Sequence, residues 1–181
     1  LGGVSTAYAV AIYGSGERLI RAGLSFIGQA TAAIFPSLNS LSVSDTVRLW
    51  QARRRTLITF GTGGLFSVLV IWVFAPLISN TLFHGRMPEL IATLRVMAWV
   101  VPAIAISNVL AFHFLVVDYK EQHLNRVVFA AVPVSLATGY VLSREWGALG
   151  MAVTWVVVEW LVTIGLAASI YRNHHRSQLH T

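Results

Sequence analysis

The sequence predicts an all-α fold, a polytopic transmembrane helix bundle, and three observations carry that prediction. Of the 181 residues, 56% are hydrophobic and only 11% charged, with a mean hydropathy of +0.69. A soluble domain has about 25% charged residues, and a soluble fold of this size cannot hide so much apolar surface. The apolar residues form continuous runs of spanning length without strict alternation, which favours helices over strands. The basic residues gather in the short segments between those runs. That is the distribution of membrane topology, so the net charge of +6 does not point to nucleic acid.

A helix needs about 20 mostly apolar residues to cross a bilayer, and five stretches qualify. The first runs from Gly16 to Leu38, and residues Leu1 to Tyr13 before it read as the end of an earlier helix. The second lies in the uncharged run Thr56 to Phe83, which at about 1.5 Å per residue is about 42 Å long and must tilt or outreach the hydrocarbon. The third, Val96 to Val117, contains Pro102; the fourth, Val127 to Ser143, contains Pro133 and Gly139; the fifth runs from Trp146 to Tyr171. Proline inside a membrane helix usually marks a kink. The whole chain, 1–181, reads as a single transmembrane domain with a cytoplasmic tail over 172–181. Leu1 opens inside an apolar stretch with no charged segment before it, so the expectation is a fragment that lacks its N-terminal part.

Orientation follows from the loops. One side carries Arg48, Arg53, Arg54, Arg55, Lys120, Arg126, Arg172 and Arg176; the other carries Arg18, Arg21, Arg86, Arg95 and Arg144. The larger set belongs in the cytoplasm, and the C-terminus with it. The segment Ser42 to Arg55 mixes Val47, Leu49 and Trp50 with arginines. It is either a short helix on the anionic membrane surface or a solvated basic loop.

Polar groups inside apolar helices single out the candidate sites, because an ionisable group at a helix centre costs about 2.5–3.5 kcal/mol on insertion scales. Arg18, Arg21, Ser25 and Gln29 follow spacings of three, four and four and share one face of the first helix. Leu19, Ile20, Leu24, Ile27 and Ala30 lie opposite. Such a stripe fits the wall of a wet cavity, with two guanidiniums suited to phosphate. It also fits arginines that snorkel at the membrane boundary, with Glu17 pairing with Arg21 at i, i+4. Glu159 falls mid-helix between Trp155 and Thr163; it is a coupling candidate for a proton or cation, or a carboxyl hydrogen-bonded to a neighbouring helix. Ser107 and Asn108 are expected to bond between helices, and His113 to be an interior histidine. Gly61, Gly63, Gly64, Gly147, Gly150 and Ala152 suit close approach of helix backbones.

No metal site is expected. The histidines His174, His175 and His180 are adjacent or nearly so on a tail and lack the geometry of a built centre. There is no cysteine, so disulfides and thiolate sites are excluded. The sequence contains no phosphate loop with lysine, no His-Glu-x-x-His and no Gly-x-Ser-x-Gly, and it has only seven acids. Nothing in it argues for an enzyme or implies a cofactor.

Three stretches together resemble the polysaccharide flippases of the MOP superfamily. Tyr13-Gly-Ser-Gly-Glu-Arg-Leu-Ile-Arg21, followed by Gln29-Ala-Thr-Ala-Ala-Ile-Phe-Pro36, is similar to the family segment "YSAAEKLVR…SQALFP". Leu82-Phe-His-Gly-Arg86, then Leu90 to Val117, is similar to an "LFG" loop followed by a helix rich in small residues. Trp146-Gly-Ala-Leu-Gly-Met-Ala-Val-Thr-Trp-Val-Val-Val-Glu159 is similar to "GAIGAAIATVITE". The order and spacing of all three agree, and the resemblance spans nearly the whole chain.

The resemblance implies the C-terminal lobe, half of a two-lobed transporter whose N-terminal lobe is the missing partner. The implied protein is a multi-pass one of the bacterial inner membrane. It would flip an undecaprenyl-diphosphate-linked oligosaccharide, a lipid-linked anion, to the outer leaflet for surface polysaccharide biosynthesis, by alternating access and with a possible ion gradient. Its partners would be that substrate and membrane lipids, with no nucleic acid. Arg18 and Arg21 stand where the family segment is basic. Alternatives are drug or cation efflux or a lipid-linked peptidoglycan precursor within the same superfamily, or an assembly factor or enzyme of envelope biosynthesis. Efflux would favour intramembrane carboxylates, of which Glu159 is the only one deep in a helix.

Overall fold

The computed structural model describes residues 3, 5–41, 46–84, 87–111 and 121–178; for Ile27 and for 30–41, 46–50, 121–124 and 172–178 it describes the backbone alone. The described chain is helical almost throughout, with no strand among the described residues. The helices are α1 (Ala7–Leu41), α2 (Thr46–Phe83), α3 (Glu89–Met97), α4 (Val100–Leu110) and α5 (Glu121–Gln178). Among the described residues, three stretches are long and apolar enough to cross a membrane: Gln51–Phe83, Glu89–Leu110 and Asn125–Tyr171.

The rod formed by α3 and α4 is the centre of the bundle. Buried residues make up 56% of its most apolar window, against 11% for the α2 span. It packs against α1, α2 and α5. Ile12 of α1, Leu90, Leu94 and Met97 of α3, Val101 of α4 and Ala148 and Ala152 of α5 form the main core. α2 instead leaves Leu65, Phe66, Leu69, Val73, Phe74 and Leu77 exposed.

The rod breaks near its middle, and Pro102 supplies the reason. Pro102 has no N–H to give to the carbonyl of Ala98 four residues back. That carbonyl accepts from Val101 N instead, at 3.1 Å, and Trp99 N turns to Val96 O at 3.1 Å. The tighter turn takes from the Arg95 carbonyl its usual donor, Trp99 N, and neighbouring helices place side-chain donors on carbonyls along this stretch. Trp72 Nε1 of α2 donates to Arg95 O at 2.9 Å, Trp160 Nε1 of α5 donates to Trp99 O at 3.2 Å, and Thr163 Oγ1 donates to Ala103 O at 3.0 Å.

α5 is a hairpin. Gly147, at φ 55 and ψ −123, interrupts it with a conformation that only glycine takes without strain. Beyond it the chain returns along itself. A Cβ on Gly150 would run into the backbone of Leu142 and Ser143, one on Gly139 would meet Thr154 and Met151, and one on Gly165 would meet Val127. This antiparallel pairing corresponds to the fourth and fifth expected helices. The reversal falls at Gly147, one residue inside the expected start at Trp146.

Other boundaries differ from expectation. α1 runs unbroken from Ala7, so residues 7–13 belong to the first helix and are not the end of an earlier one. Gly14 and Gly16 do not interrupt it; Gly16 lets the helix pass close to α3, where a Cβ would lie 2.9 Å from Met97 Sδ. The third helix begins at Glu89, seven residues before Val96, where Leu90 N donates to Met87 O at 3.1 Å and Ile91 N to Pro88 O at 3.2 Å; Ser79 Oγ of α2 also donates to Met87 O, at 3.2 Å. Thr46 to Arg55 is the continuous start of α2 and forms no separate surface helix. α5 continues to Gln178, so residue 172 marks no helix end. His113, Lys120 and His180, and the rest of 112–120, lie outside the described residues, as do the side chains of Arg48, His174, His175 and Arg176.

The small residues of α2 divide by what they face. A Cβ on Gly64 would lie 2.6 Å from Pro102 Cα, whereas one on Gly63 meets nothing within 4 Å. Gly64→Ala is therefore expected to cost about 1–3 kcal/mol by overpacking α2 on α4. Gly63→Ala should be neutral or slightly stabilising, since alanine is the better helix former. Thermal unfolding of the two variants in detergent checks the contrast.

Candidate functional site

α1 presents two unlike faces. Ala9, Ile12, Gly16 and Ile20, at spacings of three and four, are buried against the bundle. On the opposite side, Ala7, Ala11, Gly14, Arg18, Arg21, Ser25 and Gln29 form one line at helical spacing. All of these are exposed except Gly14, which is half-buried. The sequence-predicted stripe is thus one face, and it extends a further three turns toward the N-terminus as small residues. No large apolar side chain lies on its midline; Tyr8 and Phe26 flank it. The expected apolar face holds for Leu19, Ile20 and Leu24, which pack on the core; Ile27 and Ala30 are described by backbone only.

Each polar member of the line has its own surroundings. Arg18 is exposed and makes no ion pair among the described residues. Ser25 Oγ donates to Ala22 O at 2.7 Å, closing a local bond within the helix. Gln29 is exposed. Among the described residues, Arg21 is the member of the line that reaches another helix. Its Nε donates to Glu17 Oε1 at 2.7 Å, the i, i+4 pair anticipated from spacing. Its guanidinium carbon also lies 5.2 Å from the ring centroid of Trp155 on α5. An ion pair this exposed contributes about 0.2–1 kcal/mol and a cation–π contact about 0.5–1 kcal/mol. The arginine is positioned by both without being locked.

Trp155 connects the two sequence-predicted sites. Its indole Nε1 donates to Glu159 Oε1 at 3.1 Å, one turn on. Glu159 is half-buried. Its backbone carbonyl accepts from Thr163 Oγ1 at 2.8 Å, and the same hydroxyl reaches Ala103 O on α4. So Arg21, Trp155 and Glu159 form a chain of cation, ring and carboxylate across the α1–α5 junction. Spacing alone places Trp155 beside Glu159 and Glu17 beside Arg21. Nothing in the sequence pairs Arg21 with Trp155, which are 134 positions apart.

Two further expectations resolve differently. Ser107 Oγ donates to Ile104 O in its own helix at 3.1 Å and makes no bond to another helix among the described residues; a serine can close such a bond wherever no neighbouring acceptor faces it. No hydrogen bond of the Asn108 side chain is found among the described residues. Among the described residues no group of three or more histidines or carboxylates stands close enough to hold a metal ion. Compared with protein-family models, with curated proteins and with solved structures, the chain finds no match.

Because Arg18 and Gln29 are exposed among the described residues, Arg18→Ala and Gln29→Ala should leave the thermal midpoint in detergent unchanged. A fall of several degrees in either variant would contradict their exposed placement.

Proposed function

We propose that this chain is the C-terminal lobe of an inner-membrane transporter that flips a diphosphate-linked oligosaccharide lipid across the bilayer. The observation that carries the reading is the contrast between two exposed faces. α2 turns Leu65, Phe66, Leu69, Val73 and Phe74 outward, as a helix does toward acyl chains. α1 turns Arg18, Arg21, Ser25 and Gln29 outward on a line free of large apolar side chains. Two guanidiniums and two neutral polar groups along several turns are costly against lipid. They are suited to a watery passage shared with a second lobe, where paired guanidinium donors grip phosphate oxygens. The resemblance to polysaccharide flippases supports the same assignment.

Transport of lipid-linked sugar by the full protein should be lost in Arg21→Ala and partly restored in Arg21→Lys, since lysine keeps the charge but not the paired donors. Normal polymer export by a well-expressed Arg18→Ala/Arg21→Ala double variant would remove the reading.

Glu159 is the proposed coupling group, since it is a half-buried carboxylate beside that passage. Glu159→Gln keeps the shape and the acceptor for Trp155. It should abolish the dependence of transport on an imposed proton or cation gradient while leaving the folded yield unchanged. Gradient dependence equal to that of the wild type in proteoliposomes would rule the role out.

A further inference from the structure

We infer that Trp155 is a positioning residue that links the two ends of this site, so that an anion at Arg21 and a proton at Glu159 favour one another. The inference rests on the transporter reading above and adds to it a direction and a carrier. Two contacts define the carrier: the guanidinium of Arg21 lies 5.2 Å from the Trp155 centroid, and Trp155 Nε1 lies 3.1 Å from Glu159 Oε1.

The sign follows from elementary electrostatics. An indole N–H that donates to a carboxylate is polarised by it, and the ring face becomes more negative. A more negative face holds the guanidinium of Arg21 more tightly. Protonation of Glu159 removes the charge, weakens the hold of the ring and deletes a negative charge near the anion site. Both effects free Arg21 for phosphate. By linkage, an anion that draws Arg21 away must then favour proton uptake at Glu159. Substrate and proton would therefore load together.

The ionisable groups around this chain are few. From α1 they are Tyr13, Glu17 and Arg21, with Glu17 competing directly for Arg21 at 2.7 Å. α4 carries no ionisable side chain. Arg95 of α3 lies over Trp72 of α2 instead, 5.6 Å from its ring centroid. Glu17 offers a carboxylate that an incoming diphosphate can replace on Arg21, so the empty site keeps its guanidinium partnered.

The test uses the full protein in lipid nanodiscs, with inorganic pyrophosphate as the probe. Its affinity is measured between pH 5.5 and 8 for the wild type, Trp155→Phe, Glu159→Gln and Arg21→Ala. The titration of pyrophosphate itself is common to all four, so differences among them report the protein. Relative to Glu159→Gln, the wild type should gain about fivefold or more in affinity on acidification. Trp155→Phe keeps a ring under Arg21 but has no N–H, and should lose most of that gain while still binding. A merely structural tryptophan would lower affinity at every pH and leave the slope intact, and that result would overturn the inference. A wild-type slope equal to that of Glu159→Gln would overturn it as well. Should Trp155→Phe not fold, proton uptake on pyrophosphate addition decides: uptake by the wild type and none by Glu159→Gln supports the linkage, and equal uptake contradicts it. Failure of the wild type to bind pyrophosphate, or undiminished binding by Arg21→Ala, would sink the transporter reading itself, whereas an unchanged slope in Trp155→Phe with binding lost in Arg21→Ala sinks only the linkage.

Discussion

An α-helix satisfies its own backbone N–H and C=O groups, and wherever a helix is surrounded by apolar groups that closure becomes obligatory. The exposed leucines, valines and phenylalanines of α2 and α5 leave water no favourable place beside them. The instructive place is the one where closure fails. Pro102 cannot donate, the rod from Glu89 to Leu110 breaks between Met97 and Val100, and backbone carbonyls on both sides of the break take side-chain donors from two other helices. Trp72, Trp160 and Thr163 thus join α2 and α5 to the rod through hydrogen bonds as well as packing. An unmet carbonyl in an apolar setting costs several kcal/mol, and the Arg95 carbonyl, whose helical donor Trp99 N turns to Val96 O, would be one without Trp72, so that bond is part of the reason the bundle has this arrangement.

The same logic gives meaning to the two faces of α1. Its buried side is built of Ala9, Ile12, Gly16 and Ile20, small enough to let it lie close to α3. Its outer side is not justified by packing among the described residues, since none of them covers Arg18 or Gln29. A charged and small-residue line beside greasy neighbours has a physical account if water, substrate or a second lobe faces it. At one point the line turns back into the bundle, where Arg21 meets Trp155 and, through it, Glu159. That junction joins a mobile-charge candidate to an anion-binding candidate with only one uncharged side chain between them.

Much of this was legible from residue order, for identifiable reasons. The long apolar runs announced helices because continuous hydrophobicity without alternation has few other structural outcomes. The Glu17–Arg21 pair and the shared face of Arg18, Arg21, Ser25 and Gln29 follow from helical spacing, which needs no tertiary information. Boundaries were harder. The first helix is expected to start at Gly16, yet Gly16 lies inside a longer helix as a close-contact point, because a glycine permits either and the choice belongs to Met97 on another helix. Pro102 predicts a kink, yet the break lies three to four residues earlier, where its missing donor is felt. The reversal at Gly147 depends on a left-handed backbone that composition does not reveal. The contact of Arg21 with Trp155 is a product of the fold and has no local signal at all.

The central claim is that the exposed line of α1 meets water while the exposed face of α2 meets lipid. The absence of cysteine from this chain makes the measurement clean. Single cysteines at Arg18, Ser25 and Gln29, and at Phe66, Leu69 and Val73, are each exposed to a membrane-impermeant maleimide in sealed vesicles of both orientations. The account predicts labelling of the first three and protection of the second three, with labelling at Arg18 reduced by pyrophosphate. Protection of the α1 positions in both orientations, or free labelling of the α2 positions, would contradict it.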